Sequence, residues 1–132
     1  MDFAYPFTAI GTLLIILMTQ GFSFRVGQMR QKSGVSAPEI SGDDAFNRAF
    51  RVHMNTIEQW VLFLPVLWIF AMIAGDLYAG IGAVIWLVSR VIYSQAYIKD
   101  PKTRLIGFLT GFLTLMLMVF WSVGVLIWGL AT

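Results

Sequence analysis

The sequence predicts an all-α fold, a polytopic four-helix membrane bundle. Two observations carry the bundle. The 132-residue chain is 58% hydrophobic and only 12% charged, with a mean hydropathy of +0.78, too apolar for a soluble domain of this size. Its apolar residues also fall into long runs separated by short polar breaks, and a spanning helix needs about 20 such residues to cross a hydrocarbon core roughly 30 Å thick. Four spans and their connections use up the chain, so one transmembrane domain over residues 1–132 is expected.

Helix 1 is expected over residues 3–29; its apolar run follows acidic Asp2 rather than a basic stretch and precedes no small-residue cleavage site, so it reads as a retained span. Gly34, Ser36, Pro38, Ser41 and Gly42 mark the one substantial loop. Helix 2 is expected over 44–74, capped by Asp43 or Asp44, and helix 3 over 77–97 after a tight turn at Gly75 and Asp76. Helix 4 is expected over 103–130, with Asp100 as a cap and Pro101 in the first turn. Gly107 and Gly111 form a small-xxx-small pair that permits close helix approach.

Basic residues set an expected orientation. Arg25, Arg30, Lys32, Arg48 and Arg51 flank loop 1, and Lys99, Lys102 and Arg104 flank loop 3, while the second turn and both termini have none. Loops 1 and 3 should therefore face the cytoplasm and the termini the opposite side. The absence of cysteine excludes disulfides, thiolate metal sites and a protein thiol nucleophile. A net charge of +2 without a basic tail or zinc pattern gives no footprint for nucleic acid.

Along helix 2, Arg48, Arg51, Asn55 and Glu58 recur at spacings of three and four, a polar stripe entering the membrane. An ionised side chain near the bilayer centre costs about 3 kcal/mol on insertion scales, so the stripe should face a bundle interior, a partner subunit or a wet cavity. Helix 3 repeats the spacing with Arg90, Tyr93 and Tyr97, and Arg104 follows the proline turn. Guanidiniums, a carboxylate, an amide and two phenols suit a zwitterionic, peptide-like ligand, since arginine clamps carboxylates through two parallel hydrogen bonds. His53 has no second ligand at metal spacing, so no metal is expected, and it reads as a hydrogen-bonding residue beside the stripe.

The segment Phe46 to Pro65, FNRAFRVHMNTIEQWVLFLP, resembles the signature of the membrane-associated proteins in eicosanoid and glutathione metabolism, the MAPEG family. Arg90 to Arg104, RVIYSQAYIKDPKTR, is similar to that family's third-helix pattern, and the likeness extends to SFRV at Ser23 to Val26 and to Arg30. The resemblance implies a homotrimer with glutathione held between subunits near the cytoplasmic side. It implies glutathione contacts from Arg30, Arg51, His53, Asn55, Glu58, Tyr93 and Tyr97, with Arg104 nearest the sulfur as the catalytic residue and Arg48 and Arg90 as supporting partners. Glutathione would be a co-substrate, conjugated to lipophilic electrophiles in detoxification or used to reduce lipid hydroperoxides from the bilayer. Gln59 after Glu58 and Gln31 after Arg30 depart from the leukotriene-forming members, which points to a general microsomal-type glutathione transferase. The compact chain resembles bacterial members, which implies an inner-membrane location with the site open to the cytoplasm.

Two rivals remain on the sequence alone. One is a lipid-binding scaffold of the same family without transferase activity; the other is a small transporter or channel, for which intramembrane charges are also expected. The charge asymmetry yields the first prediction: a reporter fused after Thr132 should be active only when it matures on the non-cytoplasmic side, and an active cytoplasmic reporter there would invert the bundle or change the number of spans.

Overall fold

The computed structural model describes residues 2–132. Four long helices, α1 (Pro6–Ser33), α2 (Asp44–Ala74), α3 (Asp76–Lys99) and α4 (Leu105–Ala131), run in order, with a single 3₁₀ turn at Pro101–Thr103 before α4. All four are long and apolar enough to cross a membrane.

Local chemistry sets the ends. Pro6 occupies the first turn of α1, where its missing N–H costs nothing, so the helix begins later than the expected residue 3. Arg30, Gln31 and Lys32 are good helix formers and carry α1 past the expected end at 29 until Gly34 adopts φ 67°. The Asp43 carboxylate accepts the Phe46 N–H at 2.9 Å and starts α2. That hydrogen bond, aided by Ser33, holds the Asp43 carboxyl below its usual range. At the far end Gly75, with φ 102°, allows α2 to turn directly into α3. Asp100 accepts the Lys102 N–H and shapes the 3₁₀ turn, which displaces the start of α4 from the expected 103 to Leu105.

The second turn has a further job. Asp76, read from the sequence as a turn residue, accepts the N–H of Phe7 at 2.9 Å and the N–H and hydroxyl of Thr8, both at 2.8 Å. One carboxylate from the start of α3 thus caps α1, in place of a side chain from the Tyr5 cap position.

α3 packs against each of the other three helices. Its small residues allow that: the position a Cβ would take on Gly80 lies 2.6 Å from the Phe7 Cβ, and on Gly11 2.6 Å from the Ala83 Cβ. Between α3 and α4 the approach is closer still. A Cβ on Gly107 would collide with the backbone nitrogen of Tyr93 and lie 2.7 Å from its Cα. One turn on, a Cβ at Gly111 would lie 2.7 Å from the Ser89 hydroxyl oxygen. The core around these contacts holds Ile15, Phe63, Leu67, Trp86, Leu115 and Met118, with Phe63 stacked on Trp86 at 4.6 Å between centroids.

Because backbone cannot retreat as a side chain can, Gly107→Ala should destabilise the bundle by about 1–3 kcal/mol, the usual cost of overpacking. Gly111→Ala meets a rotatable hydroxyl and should cost less, and Gly124→Ala, with open space around it, should be near neutral. Thermal unfolding in detergent should rank the three in that order.

Candidate functional site

Near the end of the bundle that carries loops 1 and 3, α2, α3 and α4 enclose a pocket of about 320 Å³ lined by Arg51, Asn55, Tyr93, Tyr97, Arg104, Leu105 and Phe108. Its volume lies within the usual range for small-molecule sites. The wall is built from three separate local decisions. Arg51 and Asn55 share a face of α2, Tyr93 and Tyr97 share a face of α3, and Arg104 stands between the 3₁₀ turn and α4. Gly107, three residues past Arg104, lies against the Tyr93 backbone. That contact brings the guanidinium of Arg104 to 5.8 Å from the Tyr97 ring centroid.

Arg90 supports the pocket from behind. It is only 2% exposed, and its Nη2 donates to the Asn55 amide oxygen at 2.8 Å and to the Thr56 hydroxyl at 2.9 Å. Its guanidinium also lies 4.0 Å from the centroid of the Tyr93 ring and 5.9 Å from that of Trp86. A single buried cation therefore orients one pocket residue on α2 through a hydrogen bond and one on α3 through its ring face. Tyr93 and Tyr97 lie 5.6 Å apart between centroids.

The remaining predicted residues are placed elsewhere. Glu58 does not line the pocket; its carboxylate lies 3.6 Å from the Arg51 guanidinium, and both side chains are about half exposed on the single chain. Arg48 turns away from the other stripe residues and donates to the carbonyls of Ile98 and Lys99, at 2.9 and 3.0 Å, while pairing with Asp44 at 2.8 Å. It fastens the beginning of α2 to the end of α3. Arg30 donates to the Glu39 carbonyl at 2.7 Å and sits 4.8 Å from the Phe46 ring centroid, so within one chain it orders loop 1. His53 is half-buried on α2 and also lies outside the pocket lining.

Sequence reasoning missed Leu105 and Phe108, which give the polar pocket an apolar rim, because apolar residues on a uniformly apolar helix carry no marker. It also missed Thr56, whose hydroxyl accepts from Arg90 while donating to the Val52 carbonyl at 2.8 Å. Among the described residues no group of histidine and acidic side chains could hold a metal ion.

Comparison with known proteins identifies the lineage of this arrangement. Residues 8–124 match the MAPEG family. The chain belongs to that family. It is 35% identical to an uncharacterized protein of Synechocystis sp. over 123 residues, covering 93% of this chain and 87% of that one. It is 34% identical to leukotriene C4 synthase of Rattus norvegicus, over 71% of this chain and 63% of the rat protein. With microsomal glutathione S-transferase 2 of Bos taurus it shares 31% over 66% of this chain and 60% of the bovine protein. The chain thus spans somewhat less than two thirds of these mammalian relatives, and its likeness to the two mammalian types is nearly equal. All the residues of the pocket fall inside the matched family region.

The role of Arg90 can be tested apart from any activity. Arg90→Lys keeps a charge but cannot reproduce the fork onto Asn55 and Thr56 or the flat contact with Tyr93. It should lower stability by about 1.5–3 kcal/mol, the range for a hydrogen bond to a charged group, with unchanged secondary structure by circular dichroism.

Proposed function

We propose that this MAPEG protein is a membrane-bound glutathione transferase with glutathione peroxidase capacity, and that the pocket between α2, α3 and α4 binds glutathione. The observation that carries the reading is the composition of that one pocket: two guanidiniums, an amide and two phenols meet an apolar rim made by Leu105 and Phe108. A tripeptide with two carboxylates and an amine matches the polar part, and a lipophilic partner arriving from the bilayer matches the rim. The names of the mammalian relatives, a glutathione S-transferase and a leukotriene C4 synthase, favour the same ligand.

In this reading Arg51 clamps a glutathione carboxylate, Asn55 and Tyr93 take its peptide groups, Tyr97 packs beside it, and Glu58 accepts the amine. Arg104 stands nearest the sulfur. A free thiol ionises near pH 8.5, and adjacent positive charge lowers that value and populates the thiolate, which is the nucleophile. No side chain of the pocket is a good general base, so the proton leaves to water or to a carboxylate of glutathione itself. The thiolate then displaces a leaving group from an electrophilic carbon, or attacks the outer oxygen of a hydroperoxide, breaking the O–O bond to release the alcohol and leave a glutathione sulfenic acid that a second glutathione converts to the disulfide and water. Proximity and charge stabilisation supply the acceleration.

The exposed flank of Arg51 and Glu58 supports assembly as a homotrimer, because half-ionic surface at this depth is costly against lipid. A neighbouring subunit covers that flank and contributes Arg30 and His53 to the same ligand. The positive residues at loops 1 and 3 favour a pocket open to the cytoplasm, and in this reading the membrane is a bacterial inner membrane, with reduced glutathione available on that side.

Purified protein in detergent should therefore conjugate reduced glutathione to a reactive aryl halide, and a complete lack of turnover and of glutathione binding would sink the reading. Arg104→Ala should keep much of the glutathione affinity while losing about one to two decades of thiolate formation and turnover, whereas Arg51→Ala or Glu58→Ala should weaken binding by a similar factor. Thiolate absorbance in the near ultraviolet separates the two effects, and unchanged ionisation in Arg104→Ala would transfer the activating role to another cation, first of all Arg30.

A further inference from the structure

Closer to the start of α2 than the proposed glutathione pocket, α1, α2 and α3 border a second cavity of about 240 Å³, lined by Arg25, Met29, Asp44, Arg48, Ala49 and Ile98 among others. It shares no lining residue with the pocket of Arg51 and Arg104. Its walls come from the last turns of α1, the first turns of α2 and the end of α3, so it lies at the end of the bundle that carries loops 1 and 3. With 28 residues, α1 is about 42 Å long at 1.5 Å per residue, while the hydrocarbon core is about 30 Å thick. The terminal turns of α1 therefore extend into the headgroup layer.

The two arginines of this cavity are differently placed. Arg48 is already engaged with Asp44 and the α3 carbonyls, yet its Nε is buried without an acceptor. Arg25, half-buried on α1, forms no ion pair and donates no hydrogen bond among the described residues. A partly sheltered guanidinium with no protein acceptor calls for an external anion. The apolar part of the lining, Met29, Ala49 and Ile98, suits the glycerol and first methylenes that follow a lipid phosphate, not a freely hydrated ion.

We propose that this cavity is a binding site for the phosphodiester headgroup of an anionic membrane lipid, with Arg25 as the phosphate ligand and the guanidinium of Arg48 adding positive charge from the wall. Basic pockets between transmembrane helices at the headgroup level recognise anionic lipids in this way. Asp44, two-thirds or more exposed on its side chain, limits the positive field at the mouth, which makes the site one for a single monoanionic phosphate instead of a polyphosphate. The site is separate from the proposed glutathione pocket and does not depend on that assignment.

Native mass spectrometry of the detergent-solubilised full chain, equilibrated with equal amounts of phosphatidylglycerol and phosphatidylcholine, reads the preference directly. The parent should retain phosphatidylglycerol selectively. Arg25→Gln should reduce that preference about fivefold, the factor that corresponds to the loss of one basic residue at an anionic surface, and Arg25→Lys should keep most of it. Asp44→Asn changes the field in the opposite direction and should raise the preference, which keeps the idea open to refutation even if Arg25→Gln fails to fold. Equal retention of the two lipids by the parent, an undiminished preference in folded Arg25→Gln, or no increase in Asp44→Asn would overturn the proposal. Displacement of the retained lipid by excess inorganic phosphate would also overturn it, by showing a site for the free anion.

Discussion

The arrangement depends on a guanidinium that has no access to water. Arg90 sits between α2 and α3, almost wholly buried, and a lone charge there would be expelled or neutralised. Acceptors from one helix and aromatic faces from its own helix offset most of that cost, Asn55 and Thr56 on α2 and Tyr93 and Trp86 on α3, while its Nε is left without an acceptor. The consequence reaches beyond the cation. Each acceptor satisfied by Arg90 is fixed in orientation, and two of the groups in contact with it, Asn55 and Tyr93, also form the wall of the candidate site. Preorganisation of that wall is thus a by-product of solving a burial problem.

The third wall arrives by a different force. α4 is almost wholly apolar, and among the described residues its hydroxyls make hydrogen bonds only within the helix, so shape decides its register. Gly107 and Gly111 accept the α3 backbone and the Ser89 hydroxyl at distances no side chain would permit, and dispersion over this close contact replaces the hydrophobic drive that is absent between helices in lipid. Arg104 stands one turn before the closest point. Its place beside Tyr97 is therefore determined by a residue that has no functional group at all.

These two mechanisms explain how much the sequence could tell. Amphipathic spacing placed Arg51 with Asn55 and Tyr93 with Tyr97, because a helix repeats its face every three or four residues. The two stripes do meet, through Arg90 and Asn55. Periodicity was a poorer guide to Arg48: a step of three residues leaves it about 60° short of a full turn from Arg51, and the open carbonyls at the end of α3 claim it. The Gly107 and Gly111 pair signalled close packing, but nothing local to it says against which helix. Arg30 and His53 lie apart from the pocket in the single chain, and no spacing along the chain ties them to it. The tie between Asp76 and Thr8 joins positions 68 apart and has no sequence pattern to announce it.

That tie fixes more than a helix end. α1 is clasped at its first turn by the start of α3, while its other end leads into an exposed stretch, 34–43, whose contacts are local. The vertical position of α1 in the bundle is consequently set from the side of the membrane opposite its long connection. Extra residues in the long link from α1 to α2 would leave that clasp untouched, whereas an insertion at the one-residue corner of Gly75 would slide α3, and with it the clasp on α1, against α2.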